Sequence, residues 1–196
     1  MRMVLLSRIE VMGRLGVPVD KDTTKLMFSS QSNDWATPQD FFDKLNGAYG
    51  PFTLDAAASA GNYKVSNYFD MSVDALTQDW AGNTVFLNPP YGRELKDWVA
   101  KAYHEGQKEG TKVVMLIPAR TDTKYWHEFV MKADEIRFVK GRLKFGEGTN
   151  SAPFPSAVVI FKQSAYPAPR ICGMDRVLPV WCLMGELMLE PPPAGG

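Results

Sequence analysis

The sequence predicts an α/β domain built on an open sheet, and three observations carry that prediction. Short continuous apolar runs alternate with segments whose apolar residues recur at helical spacing. The residues best suited to chemistry, Asp55, Asn88 and Arg120, fall at or just past the ends of such runs, where open α/β sheets bind their ligands. The last part of the pattern, Arg142 to Phe145, a Gly-rich loop and then Ala157 to Phe161, reads as an antiparallel hairpin at the sheet edge.

Taken in chain order, Thr37 is a good helix N-cap with Pro38 at the first helical position, and Phe41, Phe42, Leu45 and Ala48 form one apolar face before Gly50-Pro51 stops it. Phe52 to Asp55 and Thr84 to Leu87 read as short buried strands, the second running into Asn88-Pro89-Pro90-Tyr91. Leu95, Trp98, Val99 and Ala102 recur at helical spacing. Val113 to Ile117 is another apolar run, closed by Pro118. A further unit follows, with Trp126, Phe129 and Val130 on a helix and Ile136 to Val139 as a strand. No internal repeat is visible.

A chain of 196 residues, 45% hydrophobic and 22% charged, buries one core of ordinary size. The domain is expected between Asn33 and Lys162. Residues 1–32 read as an N-terminal extension, partly disordered, with a polar run at Ser29 to Ser32. Residues 163–196 read as a Pro-rich C-terminal tail, from Pro167 and Pro169 to Pro191-Pro192-Pro193. No apolar run approaches the roughly 20 residues of a spanning helix, which predicts a soluble, cytoplasmic protein without a membrane partner. Cys172 and Cys182 lack a CxxC spacing and companion histidines, so two reduced thiols and no metal site are expected. The 22 basic and 22 acidic side chains cancel, so any nucleic-acid binding must come from a local patch.

The chemistry concentrates in Asn88-Pro89-Pro90-Tyr91. An exocyclic amino nitrogen is a poor nucleophile because its lone pair is delocalised into the aromatic ring. Two acceptors at the amino hydrogens draw that nitrogen towards tetrahedral geometry, and a flat ring stacked on the base holds it in line with a methyl donor. Asn88 offers a side-chain oxygen and, preceding proline, is held extended. Pro89 offers its carbonyl, the two prolines remove backbone donors and stiffen the turn, and Tyr91 offers the π face. The motif therefore points to amino methylation. A strand-to-helix turn is the bland reading of the same residues, but their place at the end of an apolar strand favours the functional one.

Several motifs in order resemble one known family: Trp35-Ala36-Thr37-Pro38, Phe52-Thr53-Leu54-Asp55-Ala56-Ala57-Ala58, Asp79-Trp80, Asn88-Pro89-Pro90-Tyr91, Pro118 to Thr123, Gly141 to Phe145 and Ala152 to Ser156. Together they resemble the phage-type (Dam family) DNA N6-adenine methyltransferases. The resemblance implies a compact, single-domain, Rossmann-like S-adenosylmethionine-dependent methyltransferase sheet with a C-terminal antiparallel hairpin. It implies site-specific methylation of a flipped adenine in DNA, by an enzyme encoded by a phage or prophage and active in the bacterial host. S-adenosylmethionine is the implied cofactor. Asp55 would meet its amino group, with Ala56 and Ala57 in the cofactor loop. Trp35, Thr37 and Pro38 would close over the methionine part, and Asp74 would lie in the segment flanking its adenine. Ala56-Ala57-Ala58 stands where related enzymes carry Gly-x-Gly, and too few residues separate Asp55 from Asn88 for a full second strand with a ribose-binding acid.

For DNA contacts, Arg137, Lys140, Arg142 and Lys144 form a basic run interleaved with Phe138 and Phe145. Arg120 and Lys124 follow the preceding strand, and Arg93 stands beside the catalytic loop. From these, Arg93, Arg120, Lys124, Arg142 and Lys144 are the expected DNA-binding residues, against the alternative of a solvated charged face. His104 and His127, on helices without metal-ligand partners, read as surface residues. Two other functions fit the same loop: glutamine N5-methylation in proteins, and DNA binding by an inactive relative with a degenerate cofactor loop. The recognised sequence and the oligomeric state are left open.

Overall fold

The computed structural model describes residues 35–146, 151–164 and 168–175. The N-terminal extension, Cys182 and the chain after Asp175 lie outside the described residues, which fall in one compact unit beginning at Asp34. Their elements are α1 (Gln39–Tyr49), β1 (Leu54–Asp55), β2 (Thr84–Leu87), α2 (Leu95–Gly106), β3 (Lys112–Pro118), α3 (Lys124–Glu128), a 3-10 turn (Val130–Lys132), β4 (Glu135–Lys140), β5 (Ser156–Phe161) and β6 (Arg170–Asp175). The strands form one six-stranded mixed sheet in the order β1-β2-β3-β5-β4-β6.

β1, β2 and β3 run parallel. β5 is antiparallel to both β3 and β4, and β6 is parallel to β4. Five strands therefore share one direction, and β5 alone is reversed between two of them. Residues in register share a face of the sheet. The row Phe86, Val114, Ile160 and Glu135 faces α1: Phe86 meets the ring of Phe42 at 5.0 Å, and Glu135 accepts a hydrogen bond from Tyr49 Oη at 2.8 Å. Phe161, one residue further along β5, faces α2, where its ring lies 6.0 Å from that of Tyr103. Helices thus cover both faces.

The hairpin forms with different partners from those expected. Arg142 to Phe145 is not a strand; β4 supplies the strand that pairs with β5. Gly141 takes a positive φ of 80°, a conformation glycine adopts without strain, and ends β4. Beyond it Leu143 and Phe145 turn inward while Arg142 and Lys144 stay exposed. Nor is β5 at an edge: all six of its residues are buried, as suits an interior strand covered on both faces. The edge belongs to β6, which lies within the stretch read as a Pro-rich tail, with Pro169 standing directly before it.

Two local expectations also change. Thr37 does not cap α1: the N-cap position is Pro38, without a side-chain cap, and its carbonyl accepts the Phe42 N–H at 3.0 Å. Ala48 is exposed, so the buried face of the helix is Phe41, Phe42 and Leu45. Asp79-Trp80, seen in the sequence only as a motif, fastens α2 to the loop before β2. Trp80 is fully buried; its N–H donates to Glu105 Oε2 at 2.9 Å and its indole to the Ala75 carbonyl at 3.1 Å. Lys101 and Lys108 neutralise that buried carboxylate.

Helix α2 approaches β5 closely at Gly106, where an added Cβ would lie 2.7 Å from Phe161 Cβ and 2.8 Å from its backbone. Backbone cannot rotate away, so Gly106→Ala forces α2 off β5. It is expected to destabilise the fold by about 1–3 kcal/mol, as overpacked cores do, read as a lower Tm with no change in secondary-structure content. An unchanged Tm would show that α2 shifts freely.

Candidate active site

The carboxyl ends of β1, β2 and β3 bring Asp55, Asn88 and the Ala119-Arg120 turn to one edge of the sheet, because the three strands are parallel and in register. β2 is a short buried run with β-branched and aromatic residues, and it ends where two prolines forbid further pairing. Pro89 is buried and Pro90 exposed.

Asn88 is held by both ends of its amide. Its Nδ2 donates to the Trp35 carbonyl at 2.6 Å, and its Oδ1 accepts from Tyr91 Oη at 2.7 Å. A carbonyl can only accept, so the Trp35 contact fixes which end of the amide is nitrogen. Oδ1 retains a second lone pair after the tyrosine bond. Tyr91 Oη also lies 3.3 Å from the Leu116 carbonyl in β3. Burial pushes the Tyr91 phenol well above its ordinary pKa, so it remains neutral and acts as a donor.

The Tyr91 ring is 5% exposed and enclosed by aromatic edges. Phe145 and Phe154 stand nearly perpendicular to it at centroid distances of 6.0 and 5.5 Å. Trp35 completes the cluster, 5.5 Å from Phe145 and 5.2 Å from Phe154. Gly146 anchors this segment through its N–H to the Ala36 carbonyl at 2.8 Å. The sequence placed Phe145 in an expected hairpin strand, a basic run and a family motif, and Phe154 in another family motif, without assigning either a role at the site. The alternation Arg142, Leu143, Lys144, Phe145 was the available signal, since period-two apolar positions turn to one side.

Asp55 ends β1 and is 2% exposed. Its Oδ2 accepts the Lys64 N–H at 2.9 Å, and Oδ1 lies 3.4 Å from the Ala57 N–H. Burial raises its carboxyl above the ordinary value, with the Lys64 and Ala57 N–H groups and the Lys64 charge acting in the other direction. Ala56 is fully buried and donates to the Phe86 carbonyl at 3.0 Å; Ala57 is half-buried. Thr37 is 5% exposed, and its Oγ1 is buried without a hydrogen-bond partner among the described residues. Asp74 is exposed and closes a local turn, accepting the Leu76 N–H at 3.1 Å; its hydrogen bonds among the described residues are to Leu76, Thr77 and Gln78, not to the other site residues.

Among the expected DNA contacts, Arg93, Arg120, Lys124, Arg142 and Lys144 are all exposed. Lys124 pairs with Glu128 at 3.3 Å. Arg137 does not join the basic surface: it is 6% exposed, and its guanidinium is bonded to Glu135. The acid that neutralises it stands two residues earlier on the same face of β4, just ahead of the run that looked purely basic. The described residues hold no cluster of three or more His, Cys, Asp or Glu suited to a metal ion, and no helix among them is long and apolar enough to cross a membrane.

Known proteins share this arrangement of motifs. A family model described as DNA N-6-adenine-methyltransferase (Dam) matches residues 24–174. The DNA N-6-adenine-methyltransferase of Haemophilus phage HP1 is 32% identical over 152 residues, covering 74% of this chain and 86% of the relative. That of Escherichia phage T1 is 34% identical over 110 residues, covering 56% of this chain but 45% of the relative, so the match spans about half of the T1 protein. The family match takes in β1 to β5, all but the last residue of β6 and the whole of the Asn88 site, and the chain belongs to the DNA N-6-adenine-methyltransferase (Dam) family.

Proposed function

We propose that the protein transfers a methyl group from S-adenosylmethionine to the N6 amino group of an adenine flipped out of DNA. The observation that carries this reading is the Asn88 amide, oriented by the Trp35 carbonyl and the Tyr91 hydroxyl beside a stiff Pro-Pro turn. The finer fold reading, a compact Rossmann-like methyltransferase sheet, is supported by the parallel strands that gather the site at their carboxyl ends.

The residues at that edge fit the cofactor. A buried carboxylate at Asp55 suits a cationic amino group, the unpartnered Thr37 Oγ1 suits a polar tail, and small side chains at Ala56 and Ala57 permit close approach to the backbone. Trp35 and Pro38 border the same segment, and Asp74 is assigned to the cofactor's adenine by family resemblance. Bound, S-adenosylmethionine supplies an electrophilic sulfonium methyl. The second lone pair of Asn88 Oδ1 and the Pro89 carbonyl accept the two amino hydrogens. They localise the nitrogen lone pair as the nitrogen–carbon bond forms and the carbon–sulfur bond breaks. One amino hydrogen then leaves to water, so no strong base is required. Stacking the adenine on Tyr91 exchanges phenylalanine edge contacts for a base face.

Arg93, Arg120, Lys124, Arg142 and Lys144 are proposed to meet phosphates, which position a duplex without reading its sequence. The phage origin of two relatives supports action in the cytoplasm of a bacterial host. The test is direct: unmethylated DNA is incubated with methyl-labelled S-adenosylmethionine and digested to nucleosides. Label in N6-methyladenine is expected; label found only in protein would transfer the reading to glutamine amides.

Asp55 provides a second test. Its raised carboxyl means that the native state holds the proton more tightly than the unfolded chain does. The stability it contributes is therefore present at acid pH and lost as pH rises through the folded value. Above that value the buried charge opposes folding, and we assign it to cofactor binding. Asp55→Asn is expected to leave Tm at pH 7.5 unchanged or higher while weakening S-adenosylmethionine by about 10- to 100-fold, the scale of a hydrogen bond to a charged group. A lower Tm with unchanged affinity would assign Asp55 to the fold alone.

A further inference from the structure

The segment from Ala56 to Phe69 carries an aromatic feature that methyl transfer does not use. The rings of Tyr63 and Tyr68 lie face to face, with centroids 4.9 Å apart and planes within 6°, yet Tyr63 remains 49% exposed. The ring contacts around Tyr91 are edge-on; this one leaves a flat face open to solvent.

Both tyrosines are anchored through their backbones. Tyr68 pairs with Asp55 as a one-residue parallel extension of the sheet, between the Asp55 N–H to Asn67 carbonyl bond at 3.0 Å and the Phe69 N–H to Asp55 carbonyl bond at 2.9 Å. The Tyr63 N–H donates to the Ser59 carbonyl at 3.1 Å, the Ser59 N–H to Asn62 Oδ1 at 2.7 Å, and the Lys64 N–H to the Asp55 carboxylate at 2.9 Å. The outer ring is therefore preorganised, so little conformational entropy is lost when a flat partner settles on it.

The surroundings narrow the partner. Between Asp55 and Asp70 the one charged side chain is Lys64, whose Nζ donates to the Gln39 amide at 2.9 Å and whose charge also acts on the buried Asp55 carboxylate. A rigid π face on the residue that precedes Lys64 in the chain suits a nucleobase and its phosphate. The segment leaves β1 beside β2, so it emerges from the same edge of the sheet as Asn88.

We propose that Tyr63, backed by Tyr68, is a stacking platform for an unpaired nucleobase of the DNA substrate, exposed when the target adenine leaves the helix, with Lys64 at its phosphate. This rests on the reading of DNA as the substrate. Tyr63 is half exposed and its anchoring is through the backbone, so substitution there leaves the fold intact.

The test uses the full chain with unmethylated plasmid DNA and labelled S-adenosylmethionine, comparing wild type with Tyr63→Ala and Tyr63→Phe. Stacking on one aromatic ring corresponds to a loss of about 5- to 100-fold in kcat/KM for DNA in Tyr63→Ala, while Tyr63→Phe stays within about 2-fold. S-adenosylhomocysteine affinity by calorimetry is expected to be the same in all three proteins. Equal kcat/KM for wild type and Tyr63→Ala would overturn the platform and leave the DNA reading standing. A loss confined to S-adenosylhomocysteine affinity would assign the ring to the cofactor's adenine instead. Wild-type protein that methylates no DNA would overturn both readings.

Discussion

Asn88→Ala is expected to reduce kcat for DNA methylation by about 100- to 1,000-fold, the scale seen when one preorganised polar contact to a transition state is deleted. The change removes the acceptor proposed to localise the adenine lone pair and also frees the Trp35 carbonyl and Tyr91 hydroxyl, its two partners. Because the acceptor acts most strongly as charge develops on nitrogen, kcat and kcat/KM for DNA should fall together with little change in KM. Cofactor affinity, measured by calorimetry, should be retained, since Asn88 contributes to the amino-group side of the proposed pocket. A variant with wild-type kcat would remove the loop from the chemistry altogether.

The second large effect is at Tyr91. Tyr91→Ala is expected to lose methyl transfer by at least about 100-fold. Since the ring is enclosed by Phe145 and Phe154, the same change should also cost about 3–5 kcal/mol of stability, as large-to-small aromatic deletions in cores do. Tyr91→Phe separates the two contributions. It keeps the ring and its packing and removes the hydroxyl bond to Asn88 Oδ1. Its stability should remain near wild type, and its activity should fall by no more than about 10-fold, the scale of one neutral hydrogen bond. Loss of activity in Tyr91→Phe as deep as in Tyr91→Ala would mean that the hydroxyl, and not the ring face, is the part that matters.

What could be read from the sequence follows the distance over which each signal acts. β2 and its Asn-Pro-Pro-Tyr turn are local: a four-residue strand with three buried apolar residues, followed within two positions by prolines, needs no distant partner to be recognised. The same holds for β3, ended by Pro118. The errors lie where a distant partner decides. Leu143 and Phe145 have strand-like alternation, but Tyr91 and Trp35 recruit Phe145 into an aromatic cluster, so no strand forms there. Thr37 has good capping chemistry, yet the hydrogen bonds that the Trp35 and Ala36 carbonyls accept from Asn88 and Gly146 hold the preceding segment against the site, and Pro38 becomes the cap position. Arg137 looked solvated because its neighbour in charge, Glu135, precedes the run, and only the shared face of β4 brings the two together. β6 was hidden by composition: prolines before a six-residue strand resemble a tail until β4 is seen to be its partner.

The Trp35 carbonyl, which sets the direction of the Asn88 amide, is 53 residues away along the chain. Under the proposed mechanism competence is therefore non-local, and it depends on a loop closure that comes with an entropic cost and no strand pairing of its own. A chain whose sheet has already assembled can still be inactive until residues 35 and 36 dock. Brief undocking of that short segment can likewise silence an otherwise native molecule.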